Sequence, residues 1–169
     1  VQQVIPIQAV WADGVFQVGR NKFTRTYKFM DINYAVASRE DQEAMFLEYS
    51  ELLNSFDSGA TTKITINNRR LNRQDFEKAI LIPMREDGLD VYREEYNEML
   101  LEKATGSNRM VQEKYVTVSV YKKTVEEARS YFARVGTDLM GHFARLGSKC
   151  VELDATERLR ALHDFYRAG

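Results

Sequence analysis

The sequence predicts an α+β fold: a two-layer sandwich with a mostly antiparallel sheet and split β-α-β units. Three observations carry it. Residues 114–121, KYVTVSVY, set Tyr115, Thr117, Ser119 and Tyr121 against Val116, Val118 and Val120, the period-2 pattern of a strand with one uniformly apolar face. Residues 124–127 form a capping box, and Val125, Ala128, Phe132, Val135, Leu139, Phe143 and Leu146 then recur at helical spacing. Strand-like and helix-like segments follow one another as β-β-α-β-α-α-β-α-β-α, so helices repeatedly return the chain to a sheet.

Taken in order, residues 13–34, DGVFQVGRNKFTRTYKFMDINY, read as a hairpin. One strand lies around residues 15–18. The next has Phe23, Tyr27 and Phe29 on one side and Thr24, Thr26 and Lys28 on the other, with Arg25 an exception on the apolar side. Gly19 and Asn21 in the joining turn are residues that accept positive φ. FMDINY leaves the sheet, with Asp31 and Asn33 expected to bond local backbone.

Ser38 caps a helix carrying Met45, Tyr49, Leu52, Leu53 and Phe56, which residues 57–59, DSG, stop. TTKITIN, residues 61–67, alternates β-branched residues as a strand does. Asn72 and Asp75 are positioned to cap a short helix that must finish before Pro83. A longer helix should follow residues 86–88, with Leu89, Tyr92, Tyr96, Met99 and Leu100 on one face, until residues 106–108 break it. After the long helix from Thr124, residues 149–153 form a short strand. Asp154 and Glu157 open a last helix carrying Leu159, Leu162 and Phe165. The order is that of ferredoxin-like folds, with residues 1–12 an N-terminal extension and 13–169 one domain.

Composition narrows the function. With 169 residues, 44% of them hydrophobic, the chain suffices for one sizeable core. Twenty-four Lys and Arg oppose 25 Asp and Glu, so no global cationic field draws it to nucleic acid. Cys150 is the only cysteine, which excludes an internal disulfide or a Cys-based zinc site and fits a reducing compartment. There is no apolar run of membrane-spanning length and no signal-peptide pattern at the start. A start at Val1 rather than Met suggests a piece of a longer polypeptide.

No catalytic, cofactor-binding or metal-binding residues emerge. There is no G-x-x-x-x-G-K-[ST] phosphate loop, and residues 146–149, LGSK, read as a helix C-cap glycine. His142 adjoins an apolar stripe and reads as satisfying a nearby carbonyl. His163 precedes Asp164, but no nucleophile elbow accompanies it. Cys150 reads as a buried, inert thiol. Glu94, Glu95, Glu98, Glu126 and Glu127 interleave with Lys and Arg as on solvated helix faces. Arg69, Arg70 and Arg73 form the one basic cluster, an ordinary loop or a phosphate clamp.

Read as a series, IPIQ, DGVFQVG, FTRTYKFMDINYAVASRED, FEKAILIP followed by EDGLD and REEYNEML, KYVTVSV, and LDATERLRALHDFY resemble one family. It is the N-terminal domain of the VirB-four-type ATPase that energises conjugative type IV secretion in mobile elements of Gram-positive bacteria. The resemblance runs from about residue 5 over nearly the whole chain. It implies a non-catalytic assembly or docking domain at the cytoplasmic face of the membrane. Its partners would be inner-membrane subunits of the transfer channel and other copies of the ATPase, with no small-molecule substrate. ATP and Mg would belong to a RecA-like motor downstream, so none of the family's catalytic residues falls on these positions. The alternative is a single-stranded nucleic-acid-binding module, with Tyr27, Tyr115 and Tyr121 as a stacking platform and the Arg69–Arg73 segment as clamp.

Overall fold

The second strand of the opening hairpin becomes the centre of the sheet, with the clearly alternating residues 114–121 beside it. In the computed structural model, which describes residues 5–70, 81–105 and 110–167, β3 (Lys22–Phe29) is paired along both edges. On one edge β5 (Met110–Tyr121) runs antiparallel to it, from Lys22 opposite Tyr121 to Phe29 opposite Lys114. On the other edge, β2 (Phe16–Gly19) pairs antiparallel with the beginning of β3 and β6 (Cys150–Glu152) with its end, where Tyr27 faces Glu152. The sheet order is β1-β2-β3-β5-β4, with β1 (Ala9–Val10) and β4 (Thr61–Arg70) at its ends. β1 lies within the stretch read as an N-terminal extension. It pairs Ala9 with Gln17 and Val10 with Phe16.

Among the described residues, four helices complete the α+β architecture: α1 (Arg39–Asn54), α2 (Asp90–Thr105), α3 (Val125–Arg145) and α4 (Ala155–Tyr166). β5 and β6 flank β3, both antiparallel to it, so β5-α3-β6 is a split β-α-β unit with β3 inserted. The chain divides into two compact units, Val1–Asn67 with Glu113–Gly169, and Asn68–Gln112.

Alternation decides the core of the first unit. Phe23 and Tyr27 on β3 and Val116, Val118 and Val120 on β5 share one face. They pack against Ala128, Phe132, Val135, Leu139 and Phe143 of α3, the stripe expected from the sequence. Phe29 stacks on Phe143, with ring centroids 4.7 Å apart. Tyr27 is fully buried, and its hydroxyl donates to the Phe132 carbonyl at 3.3 Å. Arg25 stays on this apolar side by pairing with Glu152 at 2.6 Å. Gly136 lets α3 approach this layer closely: a Cβ there would sit 2.9 Å from Tyr27 Oη.

The caps match the sequence where a local side chain suffices. Ser38, Thr124 and Asp154 each accept from the backbone N–H three residues on, and Asp154 with Glu157 closes a full box. The Thr124 box is only half formed, because Glu127 bonds the Lys123 N–H. Gly147, at φ +75°, is the C-terminal glycine of α3; Ser148 N–H donates to Phe143 O and Gly147 N–H to Ala144 O, the Schellman pair. FMDINY leaves the sheet as expected, β3 ending at Phe29, but Asp31 pairs with Lys114 of β5 rather than with local backbone, and Asn33 makes no side-chain cap bond.

In the second unit the apolar face expected for α2 lies open, with Leu89, Tyr92, Tyr96 and Met99 exposed. Among the described residues it is Asn97 that is buried there; its amide donates to Ile82 O and its side-chain oxygen accepts from Ile82 N–H, both at 2.9 Å. Arg93 bonds Asp87 ahead of the helix and Asp90 at its first position. The short helix expected from Asn72 and Asp75 lies outside the described residues.

Candidate ligand cavity

The second face of the sheet carries the polar half of the alternation: Lys22, Thr24 and Thr26 of β3 beside Tyr115 and Thr117 of β5. Thr26 and Thr117 share a hydroxyl–hydroxyl bond of 2.9 Å. α4 approaches this face at Thr24, and residues 5–7 complete a cavity of about 480 Å³. Its two walls differ. The sheet wall carries Thr24, Thr26, Thr65 and Thr117 with Lys22 and Lys63, whereas the opposite wall is largely apolar, from Ile5, Ile7, Ala161, Leu162 and Phe165.

Arg158 is the unusual member of the lining. Only 8% exposed, it lies with its guanidinium carbon 3.8 Å from the Phe16 ring centroid. It donates to Gly14 O at 2.5 Å, Thr24 O at 2.9 Å and Thr24 Oγ1 at 3.0 Å, all neutral oxygens. Burial, reinforced by the positive charge of Arg25, pulls its pKa down to about 9. Gly14 is constrained in turn. It sits at φ +83°, and a Cβ there would strike the Leu153 carbonyl, so only glycine lets this turn pass under the start of α4.

Sequence reading centred α4 on Leu159, Leu162 and Phe165. Leu159 and Phe165 are exposed. The face turned to the cavity is Arg158, Ala161, Leu162 and Phe165, also spaced i, i+3, i+4, i+7, a pattern masked by a charged residue at its head.

The residues weighed for chemistry disperse. Cys150 is half-buried; burial and the Glu152 charge push its thiol up to about 12, as an inert thiol requires. His142 bonds Glu48 at 2.6 Å rather than a carbonyl, because α1 brings a carboxylate to this edge of α3. Arg145 reaches the same oxygen at 2.8 Å. The His142 hydrogen bond holds the Glu48 carboxyl below its ordinary value, with Arg145 adding to the effect against the opposing effect of burial. Glu51 lies close enough to make a ligand cluster with these two, but Arg145 already supplies their cation. His163 is exposed, 3.6 Å from Asp164.

Arg69 and Arg70 belong to β4 rather than to a loop, and Arg73 lies outside the described residues. The tyrosine platform fails on parity: Tyr27 is buried on the α3 face, and Tyr115 and Tyr121 are on the other. Tyr115 is itself buried, leaving Tyr121 exposed. Among the described residues, no helix is long and apolar enough to cross a membrane. No known protein family matches the chain, and no curated protein matches it.

Proposed function

We propose that this chain is a non-catalytic assembly domain of a conjugative transfer ATPase, docking inner-membrane channel subunits and neighbouring copies of the ATPase at the cytoplasmic membrane face. The ordered series of segments resembling that family supports the context. The structural observation behind docking is the outer surface of α1. Phe46 and Leu47 are 64% and 63% exposed, and Tyr49 and Leu53 continue from Phe46 along one helical stripe. Ile64 and Ile66 are exposed on β4, in a unit that already has a complete core of its own. Apolar surface left over in this way is the usual mark of a protein contact. ATP binding and hydrolysis belong, in this reading, to a motor domain outside this chain.

The test is co-purification from cells carrying the element, with the captured subunits identified by mass spectrometry. Wild type should retain an inner-membrane channel subunit, and the double variant Phe46→Asp, Leu53→Asp should lose it while keeping its thermal transition. Equal recovery of that subunit by both would refute docking through α1.

A further inference from the structure

The cavity beneath α4 is independent of the docking surface on α1. The described residues that line it include Lys22, Lys63 and Arg158 but no Asp or Glu. Arg158 is more than nine-tenths buried and meets only neutral oxygens and the face of Phe16. Its hydrogen bonds are made, but a buried cation without a counter-charge is expensive, and an anion within reach would offset that cost. The walls add the rest of the specification. Lys22, Lys63 and four threonines lie on the sheet side, whereas Ile5, Ile7, Leu162 and Phe165 offer hydrocarbon on the other. At about 480 Å³ the space falls within the range of small-molecule sites.

We propose that this cavity binds a single-chain amphipathic anion, its carboxylate or phosphate head along the Lys22–Lys63 wall within reach of Arg158 and its hydrocarbon chain against α4 and residues 5–7. A free fatty acid and a chain of an anionic phospholipid present the same chemistry. An uncharged or cationic amphiphile would fill the apolar wall but leave the three cations unanswered.

The experiment uses the whole chain and displacement of a fluorescent dansyl-undecanoate probe below micellar concentrations. Dodecanoate should compete saturably at one per chain and raise the melting temperature. Dodecanol and dodecyltrimethylammonium should compete at least about tenfold more weakly, as losing one charge-assisted contact implies. Lys22→Gln with Lys63→Gln, at positions outside the core, should weaken dodecanoate by a similar factor. Ala161→Trp, which occupies the space without changing charge, should abolish binding. Arg158→Met gives a further loss if it folds, but the inference stands or falls on the other two variants.

A second arm uses sedimentation with phosphatidylglycerol and phosphatidylcholine vesicles. Binding to phosphatidylglycerol alone that Ala161→Trp removes, without dodecanoate competition, assigns the site to membrane lipid; dodecanoate competition assigns it to the free acid. Equal competition by the three amphiphiles, or no binding in either arm that Ala161→Trp removes, overturns the inference. Neither result bears on whether α1 docks a channel subunit.

Discussion

Replacing Gly136 with alanine adds one methyl group where α3 crosses β3 and β6. The new Cβ would sit 2.5 Å from Glu152 Oε1, 2.9 Å from Tyr27 Oη and 3.1 Å from Tyr27 Cε1. Tyr27 has nowhere to retreat, being fully buried with its hydroxyl on Phe132 O. Glu152 can swing outward, but only by loosening its 2.6 Å bond to Arg25, whose Nε is already buried without a partner. Overpacking costs about 1–3 kcal/mol, and a weakened charge-assisted bond about 1.5–3 kcal/mol. Against these, alanine gains about 1 kcal/mol of helix propensity over glycine. The net expectation is a destabilisation of about 1.5–5 kcal/mol, or a melting point lower by about 3–20 °C for a chain of this size.

Gly141, on the same helix, is the control, because the nearest atom to a Cβ there is Arg145 Nη1 at 3.9 Å. Gly141→Ala should stabilise by up to about 1 kcal/mol. Urea and thermal unfolding followed by circular dichroism measure both. If the two variants change stability by the same amount in the same direction, propensity rather than packing governs α3 and the reasoning fails.

Three further outcomes are expected. Phe46→Asp and Leu53→Asp should leave the melting temperature within about 2 °C of wild type, since exposed substitutions usually stay within about 0.5 kcal/mol; a larger drop would place these side chains in the core. In the second unit, the Arg93 hydrogen bond holds the Asp87 carboxyl down to about 2, with the Leu89 N–H adding to it, while the Arg85 N–H and then Arg93 lower Asp90. Both folded values lie below the ordinary 3.8, so the unfolded chain binds protons first. The stabilisation is therefore complete above about pH 4 and is lost as pH falls toward 2. Protection of the Arg85, Glu86 and Leu89 amides, measured against their intrinsic exchange rates at each pH, should fall over that window, and constant protection would contradict the assignment. Finally, Cys150 should react with a disulfide reagent at pH 8 far more slowly in the native state than in denaturant, because a rise from 9 to about 12 leaves on the order of a thousandfold less thiolate.

Where one face of an element is wholly apolar, the sequence was sufficient. Val116, Val118 and Val120 on β5 and the Ala128 to Phe143 stripe on α3 identify each other as partners before any coordinates exist. β1 escaped because two residues are too few to show alternation. α2 misled for the opposite reason: Leu89, Tyr92, Tyr96 and Met99 make a plausible core face and are exposed, whereas a polar Asn97 is buried to clasp Ile82. Asp31 and His142 each found a charged partner distant in sequence, Lys114 and Glu48, rather than local backbone or a carbonyl. The cavity was illegible for the same physical reason. Arg158 reads as a solvated charge until the fold places Gly14, Thr24 and Phe16 around it.

Assembly through α1 is tested most directly inside the cell. If the proposed reading holds, a photo-crosslinking p-benzoylphenylalanine in place of Phe46, in cells carrying the proposed transfer system, reports what touches that stripe. The account predicts a crosslinked product containing an inner-membrane channel subunit or a second ATPase copy, identified by mass spectrometry and absent when the residue is moved to the solvated Glu94 position. Equal crosslinking from both positions, or products with nucleic acid alone, would contradict it.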